Sequence, residues 1–176
     1  MTDVEGRLRL RPLSIDDEDA FRAAHVEMEA EGFTFGLGFD ADEPFVDYVD
    51  ALEQRGRGVD LPGRWEHWVR SVFLVAEVAG AIVGRSSIRF ELNDFLAYEG
   101  GHIGYGVLAA HRRRGHAGEI LRQSLVIARA QGVERVLVTC DDSNEASARV
   151  IEAAGGVLES RVVGAERDLV RRYWID

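Results

Sequence analysis

The segment HRRRGHAGEIL, residues 111–121, places three consecutive arginines just before a glycine, an alanine and a second glycine. Positive charge gathers here although the chain carries a formal net charge of −10. The apolar spacing that follows predicts a helix, and the N–H groups of a first helical turn have no partner within the helix. Such N–H groups bind phosphate. We therefore predict a diphosphate-binding cradle, formed by Arg112, Arg113, Arg114, Gly115, His116, Ala117 and Gly118.

Two common phosphate-binding motifs are missing from the chain. No GxxxxGK[ST] sequence occurs, which argues against a P-loop nucleotidase. No GxGxxG follows a predicted strand, which argues against a dinucleotide-binding fold. The chain has instead the pattern R-x-x-G-x-A, running from Arg112 to Ala117. To identify the phosphate ligand, the strands and helices predicted around this pattern must be considered.

The elements predicted before the cradle are a strand, two helices and a hairpin. Alternation predicts the strand, Ser14 followed by acidic residues predicts the first helix start, and Pro44 suits the first turn of the second helix. Two β-rich runs around Ala79-Gly80 predict the hairpin. These elements cover 7–11, 14 to about 31, 43–55 and 71–92, with loops over 32–40, 56–64 and 93–101.

A short strand over 102–109 leads into the cradle, and its glycines predict a bulge or a close backbone approach. After the cradle we predict a helix to about Gln131, a buried strand, a capped helix that ends before Gly155-Gly156, and two final strands. The buried strand covers 134–140 and the capping turn 141–144. This order predicts an α/β fold with a mixed sheet.

The pattern from Arg112 to Ala117, in this strand-to-helix setting, resembles the Q/R-x-x-G-x-G/A motif of the GNAT N-acetyltransferase superfamily, which binds the pyrophosphate of acetyl-CoA. Asn144 and Ser147 resemble the N-x-x-S/A start of the family's later helix. The resemblance covers roughly 7–175 and is tightest over 102–156. It implies one domain over residues 1–176, with a mixed, mostly antiparallel central sheet flanked by helices, and acetyl-CoA as co-substrate.

The resemblance also implies a reaction, in which an amine attacks the thioester of acetyl-CoA directly. A base must first take a proton from the amine, and a backbone N–H stabilises the oxyanion that forms. The N–H of Val107 is the candidate donor, and the pantetheine arm is expected along Tyr105–Ala109. The cofactor contacts expected outside the cradle are Tyr105, Val107, Leu108, Asn144 and Ser147.

Two residues are candidates for the base. His102 lies where some family members carry a glutamate base, and an imidazole titrates near neutral pH. Glu99 is the alternative, acting directly or through a water molecule. His102 also has a simpler interpretation, as a polar residue at the start of a strand with no part in the chemistry.

One position departs from the family pattern. Many members have a tyrosine acid four residues after the serine of N-x-x-S, but here that position is Ile151, which cannot donate a proton. Tyr105 and Tyr173 are the tyrosines that could replace it, and Cys140 is interpreted as a small buried residue rather than a covalent acetyl carrier. The departure keeps open a catalytically weak acyl-CoA-binding regulatory module. A phosphate- or nucleotide-binding domain that imitates the motif is a separate alternative.

Composition limits the location and the partners. A single cysteine excludes an internal disulfide and fits a reducing compartment. The first residues do not resemble a signal peptide, and no apolar run reaches the ~18 residues of a membrane span. The acidic balance argues against nucleic acid. We expect a cytoplasmic protein with neither membrane nor nucleic-acid partners, acting on a small-molecule or peptide amine. A homodimer is compatible with the resemblance, but nothing in the sequence requires it.

Overall fold

The computed structural model describes residues 6–65, 67–166 and 168–176. Seven strands form one sheet in the order β1-β2-β3-β4-β5-β7-β6, and neighbours run antiparallel except for β4 and β5. This confirms the predicted mixed, mostly antiparallel sheet. The strands are β1 Arg9–Pro12, β2 Ser71–Val78, β3 Ala81–Arg89, β4 Ile103–Val107, β5 Val136–Asp141, β6 Val157–Val163 and β7 Leu169–Ile175.

Four α-helices flank the sheet. Their bounds are α1 Glu18–Glu29, α2 Phe45–Gly56, α3 His116–Ala130 and α4 Glu145–Ala153. Ser14 forms a capping box with Asp17, but the turn it begins is a 3₁₀ turn, Ile15–Asp17, and α1 follows that turn. The predicted helix starts therefore hold to within a few residues.

The helices divide between the two faces of the sheet, and each face has its own core. The core below α1 and α2 is largely aromatic and includes Phe21, Phe35, Tyr48, Phe73 and Trp65. The core below α3 and α4 is aliphatic and includes Ile103, Leu121, Leu125, Val138 and Ile151. Successive residues of a strand point to opposite faces, so β4 contributes alternately to both sides.

The glycines of the hairpin and of β4 allow close packing between backbones and side chains. β4 keeps a continuous register with β3 over five residue pairs, so the predicted bulge is absent from β4. A Cβ at Gly106 would lie 2.7 Å from the ring of Phe33. A Cβ at Gly84 would lie 2.3 Å from the carbonyl oxygen of Gly106. The glycines of β4 therefore confirm the other prediction, a close approach of neighbouring groups to the backbone.

The segment 93–101 was predicted as a loop, and this is wrong for its second half. Residues Leu96–Gly100 form a π-helical turn, which ends at Gly101 with a φ of 65°. The side chain of Asn93 accepts a hydrogen bond from the N–H of Leu96 at 2.9 Å and so begins the turn. Among the described residues, no helix is long and apolar enough to cross a membrane.

Candidate active site

A gap opens between the two parallel strands of the sheet. β4 and β5 share one register pair, Ile103 with Val138, although both strands continue beyond it. On its other edge β4 is fully paired: the N–H of Arg89 donates to His102, and the N–H of Leu108 donates to Val83. Because hydrogen-bonding direction alternates along a strand, the backbone groups of Tyr105 and Val107 point into the gap.

Arg112 lies at the end of β4 and is held there by protein partners. Its Nε donates to the carbonyl oxygen of Val107 at 2.9 Å. Its Nη2 pairs with the carboxylate of Glu31 and lies 3.7 Å from the sulfur of Met28. The guanidinium therefore fixes α1 against β4, and the N–H of Val107 remains the group that faces the gap.

The N-terminus of α3 is open where the cradle is predicted. Its N-cap is Gly115, which has a φ of 82° and provides no side-chain cap. A Cβ built at Gly115 or at Gly118 would meet no atom within 4 Å. The first N–H groups of a helix lack partners within it, and the open space beside these two glycines fits a diphosphate approaching the backbone.

The charges around this helix start are mainly positive. Partial burial, together with His111 and Arg114, lowers the pKa of His116. The acidic residue of the first turn is Glu119, and its hydrogen bond from Arg122 lowers its pKa to about 2. Because that carboxylate is paired with an arginine on the helix, it opposes an incoming anion only weakly.

The start of α4 contacts both strands of the gap. The side chain of Asn144 caps α4 by accepting the N–H of Ser147 at 3.0 Å. The Oγ of Ser147 lies 3.0 Å from the hydroxyl of Tyr105. Burial raises the pKa of Tyr105 to about 12 and that of Cys140, on β5, to about 11. All of these side chains are therefore uncharged near neutral pH.

The two tyrosines that could replace the missing acid have different environments. Tyr173 is fully buried and its hydroxyl donates to Glu152 at 2.9 Å. Tyr105 lies on the strand that borders the gap. Ile151, at the usual tyrosine position, is also fully buried in the core. Only Tyr105 therefore combines a partly exposed position with a place beside the gap.

The two base candidates are both held by hydrogen bonds. The Nδ1 of His102 accepts from the N–H of Leu137 at 2.9 Å, and its backbone N–H donates to the carbonyl of Leu137 at 2.7 Å. Burial and the charge of Arg89 lower the pKa of His102. One carboxylate oxygen of Glu99 accepts from the N–H of Ala165 at 2.9 Å.

Sequence reasoning missed two arginines on β3. Arg85 and Arg89 lie opposite Gly106 and His102 on the face that carries α1 and α2. Arg85 is only 4 % exposed. The signal that could have found them is the run GRSSIRF, in which basic residues recur on one face of a strand of the predicted hairpin.

Comparison with known proteins agrees with this fold. A profile of the acetyltransferase (GNAT) domain matches residues 7–157, which is most of the chain. The chain therefore belongs to the GNAT acetyltransferase family, as the sequence analysis predicted, and acetyl-CoA is the co-substrate of this family. A search of curated protein sequences gave no match.

Solved structures share the fold at low sequence identity. yncA from Salmonella typhimurium, solved with its cofactor acetyl-CoA, is 17% identical over 96% of this chain and 93% of that chain, with a TM-score of 0.65. An N-acetyltransferase from Staphylococcus aureus Mu50 is 20% identical over 97% and 98%, with a TM-score of 0.66. The microcin C7 self-immunity acetyltransferase MccE, in complex with acetyl-CoA and AMP, is 16% identical over 96% and 91%, with a TM-score of 0.65.

Proposed function

We propose that this protein is an N-acetyltransferase that moves an acetyl group from acetyl-CoA to a primary amine. The observation that carries the proposal is the gap between β4 and β5, which lies beside the open N-terminus of α3. A long ligand with a diphosphate at one end and a thioester at the other suits these two features together. Family membership supports acetyl transfer, and the amine acceptor is our inference.

The backbone supplies most of the proposed contacts with acetyl-CoA. The N–H groups from Arg113 to Gly118 bind the diphosphate, and Arg113 and Arg114 add positive charge. The backbone groups of Tyr105 pair with the pantetheine arm, with Leu108 close by, while Val107 offers its N–H because its carbonyl oxygen accepts from Arg112. Asn144 and Ser147 order the opposite side of the gap by fixing the start of α4.

Acetyl-CoA supplies an acyl thioester, and the residues of β4 stabilise its reaction. The N–H of Val107 donates a hydrogen bond to the carbonyl oxygen as negative charge develops there. The hydroxyl of Tyr105, with a pKa of about 12, stays protonated and donates a hydrogen bond near the sulfur. A thiol has a pKa near 8.5, so the sulfur leaves as a thiolate without first taking a proton. This removes the need for a tyrosine at position 151.

The proton of the amine passes to Glu99, through a water molecule, in preference to His102. A neutral imidazole has one lone pair, and in His102 that lone pair accepts the N–H of Leu137. A carboxylate has further lone pairs when one oxygen is already bonded, as in Glu99. His102 then serves to join β4 to β5 at the closed end of the gap.

The proposal also includes the predicted domain extent, cellular location and type of acceptor. We place the activity in one domain over residues 1–176, because strands from both ends of the described chain join one sheet. A cytoplasmic location agrees with the free thiol of Cys140. The acceptor is a small-molecule or peptide amine rather than a nucleic acid, and a homodimer remains compatible with the fold.

The test is turnover with a panel of amines. The protein is incubated with acetyl-CoA and each amine, CoA release is followed with a thiol reagent, and the acetylated product is identified by mass spectrometry. Glu99→Gln should lower kcat at least tenfold, whereas His102→Asn should keep it within a few-fold. Binding of acetyl-CoA without turnover of any amine would instead support the acyl-CoA-binding regulatory module. That alternative rests on the buried Ile151, which stands where many family members have a tyrosine acid.

A further inference from the structure

Two guanidinium groups converge above a glycine of β4. A Cβ built at Gly104 would lie 3.6 Å from Nη1 of Arg85 and 3.6 Å from Nη1 of Arg89. The two arginines come from the neighbouring strand β3, and the register places them on the face that carries α1 and α2. Gly104 and Arg89 are half-buried rather than buried, whereas Arg85 is buried.

Neither arginine is paired with a carboxylate among the residues that the structure describes. Arg85 donates to the carbonyl oxygens of Gly104 at 2.9 Å and Thr34 at 2.6 Å, and its buried Nε has no partner in that part of the chain. Arg89 donates to the carbonyl oxygens of Gly100 at 3.2 Å and Gly101 at 3.3 Å. All of these acceptors are neutral.

This arrangement differs from that of two arginines on other strands of the sheet. Arg11 on β1 pairs with Asp17 and Glu77, and Arg171 on β7 pairs with Asp142 and Glu145. Burial lowers the pKa of Arg85 to about 9, with a further contribution from Arg89. Uncompensated charge is costly to bury, and an anion that enters the space would offset that cost.

We propose that Arg85 and Arg89 form a subsite above Gly104 that binds the carboxylate of the acceptor. The acceptor is then an amine that also carries a carboxylate, such as an amino acid or a related amino acid derivative. This inference rests on the proposed acetyltransferase function, since Gly104 is the neighbour of Tyr105 on the strand that borders the gap.

A carboxylate fits the subsite by shape as well as by charge. Guanidinium groups bind carboxylates through paired N–H donors, and Nη1 of Arg85 and both terminal nitrogens of Arg89 lie within 4 Å of the position above Gly104. The guanidinium of Arg85 also contacts the segment after α1, because it lies over the ring of Phe33 and donates to the carbonyl oxygen of Thr34. The acceptor thus approaches from the side of α1 and α2, while acetyl-CoA lies in the gap.

The first arm of the test places a carboxylate in the subsite from within the chain. Gly104→Asp is compared with Gly104→Asn, which has nearly the same shape and no charge. The neighbours of the new Cβ are at ordinary contact distances, and Gly104 has no positive φ, so both variants should fold. We expect the Asp variant to have a Tm about 2–4 °C above that of the Asn variant. An Asp variant that is no more stable than the Asn variant would overturn the proposal.

The second arm uses product-like probes that need no knowledge of the true acceptor. N-acetylglycine carries the carboxylate, N-acetylglycinamide lacks it, and methylphosphonate tests another oxyanion, all at matched ionic strength. N-acetylglycine at about ten times its Kd should raise the Tm of the wild type by about 2–5 °C and leave that of Gly104→Asp unchanged. Equal responses to the acid and the amide, a preference for the phosphonate, or no response would each contradict a carboxylate subsite.

Calorimetric titration of the same proteins with acetyl-CoA separates the two proposals. If acetyl-CoA binds but N-acetylglycine has no effect, the carboxylate subsite is wrong and the acetyltransferase proposal stands. If N-acetylglycine stabilises the wild type but acetyl-CoA does not bind, the anion site stands and the acetyltransferase proposal is wrong.

Discussion

The glycines at the start of α3 and the glycines in the middle of the sheet have opposite surroundings. A Cβ at Gly115 or Gly118 would meet nothing within 4 Å, whereas a Cβ at Gly84 would lie 2.3 Å from a backbone oxygen and one at Gly106 2.7 Å from an aromatic ring. At Gly115 and Gly118 the place of the missing side chain is empty. At Gly84 and Gly106 that place is occupied by other atoms of the protein. One residue type therefore leaves open space in one region and allows close packing in the other.

Gly104 belongs to neither group. Its missing side chain faces two guanidinium groups at 3.6 Å rather than backbone or open space. The proposed acceptor side is thus built from long side chains of β3, while the proposed cofactor side is built from the backbone of β4 and α3. This difference decides how each side should respond to substitution.

The largest expected effect is on stability, from a substitution at one of the tightly packed glycines of the sheet. Gly84→Ala should lower the free energy of unfolding by about 3 kcal/mol or more, because a backbone oxygen cannot move away from the new methyl group as a flexible side chain could. Gly118→Ala is the matched control, and it should gain roughly 0.5–1 kcal/mol as an open helical position. Urea unfolding of both variants measures the contrast, and equal losses would show that the two glycines do not differ.

A second prediction concerns the closed end of the gap. His102→Leu removes the acceptor of the buried N–H of Leu137 and should cost about 1–3 kcal/mol. His102→Asn keeps an oxygen near the position of Nδ1 and should cost less. The free energies of unfolding at pH 7.5 decide between them. If Leu is tolerated as well as Asn, the hydrogen bond does not join the two strands as described.

The same residue gives a pH dependence with a definite sign. Burial, followed by the charge of Arg89, lowers the pKa of His102 below its unfolded value of about 6.5. The unfolded chain therefore binds the proton more tightly, and stability is lost as the pH falls from about 6.5 through the folded pKa. The wild type should lose more free energy of unfolding between pH 7.5 and pH 5 than His102→Asn, by about 1.4 kcal/mol for each unit by which the pKa is lowered. Parallel pH curves for the two proteins would contradict this.

The smallest expected effect is at Cys140, which lies on the other strand of the gap. Burial raises the pKa of its thiol to about 11, so almost no thiolate is present at neutral pH. A thiol in that state is a poor nucleophile. Cys140→Ala should therefore change kcat by less than about twofold. A loss of turnover together with an acetylated cysteine in the wild type would mean that the acetyl group passes through Cys140.

The order of the elements and the open start of α3 were predictable because their signals are local. Gly115 and Gly118 lie within a few positions of the junction between a strand and a helix, and the hairpin turn Ala79-Gly80 has positive φ at both residues, as its type requires. The helical turn over Leu96–Gly100 was missed because its composition resembles a loop and its start depends on the side chain of Asn93.

The arginine subsite could not be predicted in the same way. Arg85 and Arg89 become neighbours of Gly104 only through the register of β3 on β4, which the sequence does not specify. The position of the Tyr105 hydroxyl against Ser147 likewise depends on where α4 packs. Side chains that converge from separate elements leave no motif, whereas a backbone cradle does.

The most direct measurement is calorimetric titration of acetyl-CoA into the wild type, Gly118→Gln and Gly118→Glu. Both new side chains have the same size, and a carboxylate in the first turn favours the helix, so the Glu variant should remain folded. We predict micromolar-range binding to the wild type, and binding to the Glu variant at least about tenfold weaker than to the Gln variant, which is about 1.4 kcal/mol. Equal affinities for the two variants, or no binding to the wild type, would contradict a diphosphate at the N-terminus of α3.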